Sequence, residues 1–156
     1  EGIHQASVHF GNQALFFLGD LANLPFANKS CGTLLNILTP SNYQEFMRVL
    51  APGGTLVKVI PGNDYLSEIR QQLYRSNPEK QTYSNADILE RVQSECPQVT
   101  FEEVYYTVNL TDATYRHLLE MTPLYWGATP EDKAYSNEHP LATVTVHYII
   151  AVVKKP

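Results

Sequence analysis

The sequence predicts an α/β domain with a largely parallel sheet, on three observations. Continuous apolar runs bounded by turn residues, Ala14–Leu18 "ALFFL", Cys31–Leu38 "CGTLLNIL" and Thr55–Ile60 "TLVKVI", read as buried strands. Stretches with apolar residues at helical spacing lie between most of them. The chain closes on "LATVTVHYIIAVV", a β-branched run apolar on both faces, which suits a central strand. Strands alternating with helices give the α/β class.

In chain order, residues 1–13 read as a helix end or a lead-in, followed by the first strand, Ala14–Leu18, which stops at Gly19-Asp20. "GDLANLPFANKS" is a loop, and the strand Cys31–Leu38 ends at Thr39-Pro40. Ser41 caps a helix with Gln44 in the reciprocal position, and Tyr43, Phe46, Met47 and Leu50 share its apolar face. Ala51–Gly54 "APGG" is a tight turn before the strand Thr55–Ile60, which Pro61-Gly62 stops. Asn63 or Asp64 opens a helix through about Tyr74, with Leu66, Ile69 and Leu73 inward. After the polar loop Arg75–Tyr83, Ser84 with Asp87 marks a helix whose apolar face is Ile88, Leu89 and Val92. Val99–Leu110 is a strand by composition, and Thr111 caps a helix carrying Tyr115, Leu118 and Leu119. "HLLEMTPLYWGATPE", His117–Glu131, then breaks on a proline, sets Tyr125 beside the only tryptophan, Trp126, and breaks again at Pro130.

At 156 residues, 44% hydrophobic and 17% charged, the chain reads as one globular domain, 1–156. No apolar run approaches the roughly 20 residues that span a bilayer, and there is no secretory signal. The first residue is Glu1 and not Met, which suggests a fragment or a processed chain. Cys31 and Cys96 lack CxxC pairing and read as free thiols of a reducing cytoplasm, and no metal site is expected. Net charge is −5 with the cations scattered, so a nucleic-acid substrate would need other parts of a longer chain or another subunit to supply much of the grip.

In open α/β sheets, ligands bind beyond the carboxyl ends of the strands. Those ends are Gly19-Asp20-Leu21, Leu38-Thr39-Pro40 and Pro61-Gly62-Asn63. Asp20 either caps a turn or accepts hydrogen bonds from a ligand amino group. Asn36 is either a satisfied core amide or points its amide into a site. Asp64 and Glu68 lie one helical turn apart, either as a paired carboxylate face or as a solvated helix start. His117, alone on its helix, reads as structural. No Ser/His/Asp constellation, nucleophile elbow or P-loop can be assembled.

The succession "GDLANLPFANKS", "GTLLNILTP" and "FMRVLAPGGTLVKVIPG" resembles the second half of a class I S-adenosylmethionine-dependent methyltransferase. More closely, "TPSNYQEFMRVLAPGGTLVKVIPGNDYLSEIRQQLY" with "LLEMTPLYWGATPE" resembles the bacterial 23S ribosomal RNA guanine-N1 methyltransferases. The resemblance runs from about residue 4 to 155. It implies a Rossmann-like sheet of order 3-2-1-4-5-7-6, incomplete here. The first two strands, the glycine-rich turn, the ribose-holding acidic residue and the amino-terminal four-ligand zinc module are missing. It places Asp20 and Leu21 by the adenine and Asn36, Leu38 and Thr39 near the methionine part of the cofactor. It sets Tyr125 and Trp126, with Asp64, beside a flipped guanine, where stacking on an aromatic ring contributes roughly 1–3 kcal/mol per base.

Methyl transfer from a sulfonium to nitrogen is an in-line displacement that needs chiefly alignment. Guanine N1 carries a proton, so a carboxylate or water chain must accept it; Asp64, Glu68 and Glu120 are candidates and none is selected. The implied function is methylation of large-subunit ribosomal RNA by the intact protein, with the fragment itself inactive. A small-molecule methyltransferase and a non-catalytic fragment remain as alternatives. Without its family neighbours, Ala14–Leu18 has no pairing partner and the strand at Cys31 becomes an open edge, which invites dimerisation or rearrangement through that edge.

Overall fold

The computed structural model describes residues 1–156. It begins with helix α1 (Gly2–Phe10), followed by an irregular segment up to strand β1 (Cys31–Ile37). Helix α2 (Tyr43–Val49), strand β2 (Leu50–Pro61) and helix α3 (Ser67–Leu73) follow. A 3-10 turn at Pro78–Lys80 leads to helix α4 (Ala86–Glu95) and strand β3 (Thr100–Asn109). Three helices, α5 (Asp112–Met121), α6 (Pro123–Trp126) and α7 (Pro130–Glu138), precede the last strand, β4 (Thr143–Lys154).

The four strands form one sheet of order β1-β2-β4-β3. That is the order expected of the last four strands of the resembling family, with the closing strand in the interior. The direction of the strands agrees with the expectation of a largely parallel sheet, with one strand reversed. β1, β2 and β3 run in one direction, β1 and β2 as hydrogen-bonded neighbours in register Asn36↔Lys58, while β4 alone is reversed, antiparallel to both β2 and β3. β4 re-enters between β2 and β3 after three helices, so its direction is set by where α7 delivers it.

Ala14–Leu18 is not a strand. No strand pairs with it, its one backbone hydrogen bond being the local one from Ala14 N to Phe10 O, and Leu15 and Leu18 are each 87% exposed. An extended run is stable only with a partner ladder, and no strand of this chain reaches it. The segment behind it, Leu24–Asn28, is fastened by side chains instead. Arg48 donates to Leu24 O, Phe26 O and Asn28 Oδ1, and pairs with Glu45 at 2.7 Å.

Several helix starts shift by a residue or more. Asn42, not Ser41, caps α2, its Oδ1 accepting from Glu45 N at 3.1 Å. α3 begins only at Ser67, because Asn63–Leu66 forms a turn that ends with Leu66 at φ 53°. Asn85 occupies the α4 cap position but spends its amide on Pro61 O. Thr111 caps α5 as expected, in a reciprocal pair with Thr114. The "APGG" turn is absorbed into β2 as a bulge: Gly53 takes φ 72°, and the β1 register slips from Cys31↔Leu50 to Thr33↔Thr55.

Two apolar clusters hold the layers together. Phe46 and Leu50 from the α2 end, Val92 and Cys96 from the α4 end, and Leu56, Ile60, Ala151 and Val153 from the sheet pack on one face. Ile69 and Leu73 of α3 pack with Tyr115 and Leu119 of α5 and Val144 of β4 elsewhere. The rest of the second sheet face is open. Leu35 is 64% and Ile37 54% exposed on edge strand β1. Fully covering such side chains would stabilise by roughly 1.5–3 kcal/mol each.

Candidate functional site

A trough crosses the carboxyl ends of β1 and β2. Its largest hollow, about 380 Å³, lies between the strand ends at Leu38 and Pro61, the Tyr65–Arg70 stretch, Tyr83, and Met121–Leu124. A second, about 240 Å³, shares Leu38, Pro61 and Tyr83 with it and adds Thr39 and Lys58. A third, about 330 Å³, shares Thr39 and Lys58 with the second and adds Asp87 and Arg91. Three cations, Lys58, Arg70 and Arg91, face one carboxylate, Asp87, along this trough. An acidic chain of net charge −5 thus concentrates cations at one place.

The floor is built by a buried polar pair. Asn36 and Lys58 are register partners, and both side chains lie on the covered face between apolar neighbours. Lys58 Nζ donates to Asn36 Oδ1 at 2.6 Å and to Thr39 O at 3.0 Å. Asn36 Nδ2 in turn donates to Thr39 Oγ1 and Pro40 O. Asn36 is therefore a satisfied amide that fixes the turn after β1. Leu38 in that turn sits at φ 53° while its amide donates to Val59 O. Burial pushes the Lys58 ammonium below its usual range, and no carboxylate pairs with it. Sequence reading missed Lys58; the signal was a lysine at a core-facing position of "TLVKVI", between Leu56 and Ile60.

Leu38 and Thr39 thus line the trough. Asp20 is exposed, its Oδ1 accepting from Ala22 N at 2.9 Å in a turn, and Leu21 packs under the first apolar cluster. Neither stands in the trough wall. Met121–Leu124 forms a wall, pinned by Tyr74 Oη donating to Leu124 O at 3.0 Å. Thr122 caps α6 within it. Tyr125 is half-buried one residue beyond, where its hydroxyl accepts from Asn137 Nδ2 and Lys133 Nζ lies 5.1 Å from the ring centroid. Trp126, two residues past Leu124, is 72% exposed and lines none of these hollows.

The candidate bases are separated by their surroundings. The Asp64 side chain is 56% exposed, with Oδ2 3.8 Å from His147 Nδ1. Glu68 accepts from Thr145 N at 3.0 Å and from its hydroxyl. Burial would raise its carboxyl, but those hydrogen bonds outweigh it and hold the group below the usual range. Glu120 is exposed on α5 and lines none of the three hollows. His117 borders an adjoining hollow beneath α5, which shares Tyr65, Leu66, Leu118 and Met121 with the first. No carboxylate lines the largest hollow.

A four-stranded sheet of this order, with its hollow at the carboxyl ends of β1 and β2 and helices α3 and α5 beside it, has the Rossmann-like methyltransferase fold. Over 99% of the chain it superposes on 78% of a protein of Bacillus halodurans described as a putative methyltransferase, with TM-score 0.55 and 13% identity. Over 98% it superposes on 70% of a SAM-dependent methyltransferase of Thermotoga maritima, with TM-score 0.51 and 13% identity. No protein-family model matches the chain. Its curated homologues are 23S rRNA (guanine-N1)-methyltransferases. The Bacillus subtilis protein named "Putative 23S rRNA (guanine-N(1)-)-methyltransferase YxjB" is 36% identical over 99% of this chain and 54% of its own length. The 23S rRNA (guanine(748)-N(1))-methyltransferase of Streptomyces fradiae is 27% identical over 71% of the chain and 39% of its own length. The chain thus spans about half the length of the first of these relatives.

Proposed function

We propose that this chain serves S-adenosylmethionine-dependent methylation of guanine N1 in large-subunit ribosomal RNA, in the cytoplasm. The observation that supports this reading is the Met121–Leu124 segment, quoted above for its resemblance, standing as a wall of the hollow over the β1 and β2 ends. Leu38 and Thr39, at the β1 end of the trough, fit the methionine side of the cofactor, and the exposed carboxylate of Asp20 suits an adenine amino group. When bound, the cofactor supplies a methyl group activated by a sulfonium. The chain's own part is positional: the Asn36–Lys58–Thr39 network fixes the β1 turn, and Met121–Leu124 sets the opposite wall. Tyr125, Trp126 and Asp64 form the outer rim against the RNA base. In the test, the protein as its gene encodes it receives labelled S-adenosylmethionine and 23S RNA lacking the modification. Label should appear in the RNA, with a reverse-transcription stop at one guanosine, because an N1-methyl group blocks Watson–Crick pairing. Label only in small molecules would support a small-molecule methyltransferase. Calorimetry showing no cofactor binding and no transfer would leave a non-catalytic module.

The open β1 edge favours a second property. With Leu35 and Ile37 exposed beside an unpaired backbone row, residues 1–156 pair through β1 with a second copy. Light scattering coupled to size exclusion should give twice the 17.6 kDa chain mass; a folded monomer would contradict this.

A further inference from the structure

Resting on that reading, we infer that Arg70 is a catalytic residue, its guanidinium donating to O6 of the target guanine as N1 loses its proton. The hollow of about 380 Å³ falls within the roughly 300–1,000 Å³ of small-ligand sites. Its walls are mostly apolar, and Arg70 is the one cation among them. The guanidinium belongs to none of the chain's ion pairs, and its Nε is buried without a hydrogen-bond partner. The Tyr83 ring lies 5.1 Å away and steadies the planar group from one side. Arg70 is half-buried, and no group of the chain accepts from its donor fork, which leaves the fork free for an acceptor from outside. Guanine presents O6 and N7 side by side, the pair an arginine fork matches.

This position also answers the missing base. No carboxylate lines the hollow, Glu68 is turned to Thr145, and Asp64 is exposed beside His147. The other ionisable wall groups are Tyr65 and Tyr83, whose phenols burial pushes up, so both stay neutral. Lys58 faces the neighbouring hollow with its ammonium spent on Asn36 and Thr39. When water takes the N1 proton, the negative charge spreads onto O6. A guanidinium there stabilises that anion without accepting a proton itself. The N1 lone pair then attacks the methyl carbon and the carbon–sulfur bond breaks with its electron pair on sulfur. The products are N1-methylguanine, the thioether and a proton released to solvent.

The test compares wild type, Arg70→Met and Arg70→Lys in the protein as its gene encodes it, with a ribosomal RNA transcript as substrate. Arg70→Met should lower kcat on the order of 10²-fold at neutral pH, the scale of losing one oxyanion donor. It should change KM far less. Its kcat should climb with pH beyond the point where wild type levels off, because solvent must remove an unassisted proton. Arg70→Lys, which keeps a charge, should fall between the two. Unchanged cofactor binding and thermal midpoint separate these effects from misfolding. A raised KM with an unshifted pH profile marks a phosphate contact and overturns the assignment alone, as does an unchanged profile of both variants. A wild type that leaves guanine N1 unmethylated overturns it together with the reading beneath it.

Discussion

Gly62 shows how one missing methyl group shapes the site. A Cβ built there would lie 2.2–2.4 Å from the His147 ring, which is itself buried. Gly62→Ala should destabilise by about 1–3 kcal/mol, as overpacking of a filled interior does, read from chemical denaturation. Glu68 carries a pH signature. Its folded carboxyl is held below the ordinary value, so its stabilisation is full above that value and is lost as pH falls through the lowered one. Glu68→Gln should therefore flatten the acid side of the urea-midpoint profile below about pH 4.5, and the same slope in both proteins would refute the assignment. Trp126, largely in solvent, behaves oppositely. Trp126→Ala should leave stability within about 0.5 kcal/mol and weaken RNA binding by about 1–3 kcal/mol in a filter or anisotropy titration.

Among elements, the most informative is the β1–β2 pair. Asn36 looked ambiguous because a polar residue in an apolar strand is equally consistent with a ligand contact or a buried partner. Only the register, which puts it opposite Lys58, resolves it. Asn36→Ala removes the 2.6 Å acceptor of a buried ammonium and should cost about 1.5–3 kcal/mol, with the loss visible in the thermal midpoint. The apolar faces of α2–α5 and the cap at Thr111 were legible because helical spacing and side-chain caps are local properties. The β2 bulge and the late start of α3 were not. Gly53 and Leu66 take positive φ because of what they pair with, Lys155 and Thr145, which lie about 80–100 residues away in the chain. Of the trough, the strand ends and the MTP wall were readable from punctuation and resemblance. Arg70 and Lys58 were not, because cations in amphipathic segments look solvated until the fold surrounds them.

At the scale of the molecule, the sheet is finished on one side only. β3 closes one margin and two helices cover one face, while β1 leaves backbone and apolar side chains open. Ala14–Leu18 was misread for the same reason: a strand's sequence pattern describes a partner it needs, not one it has. Leu35→Lys with Ile37→Lys should shift a β1-paired dimer to monomer in sedimentation at equal concentration, since charges on an edge oppose pairing; persistence of the dimer would place the contact elsewhere.

The bulge in β2 has one more partner. Lys155 exchanges backbone hydrogen bonds with Gly53 and Gly54, and its ammonium donates to Met47 O and Leu50 O, both at 2.6 Å. A positive charge thus sits where the α2 carbonyls end, a favourable place for it. The tail is therefore a clasp. Removing the Lys155 side chain would fray a helix some 105 positions upstream and loosen the amino end of β2, at the far end of the strand from the trough.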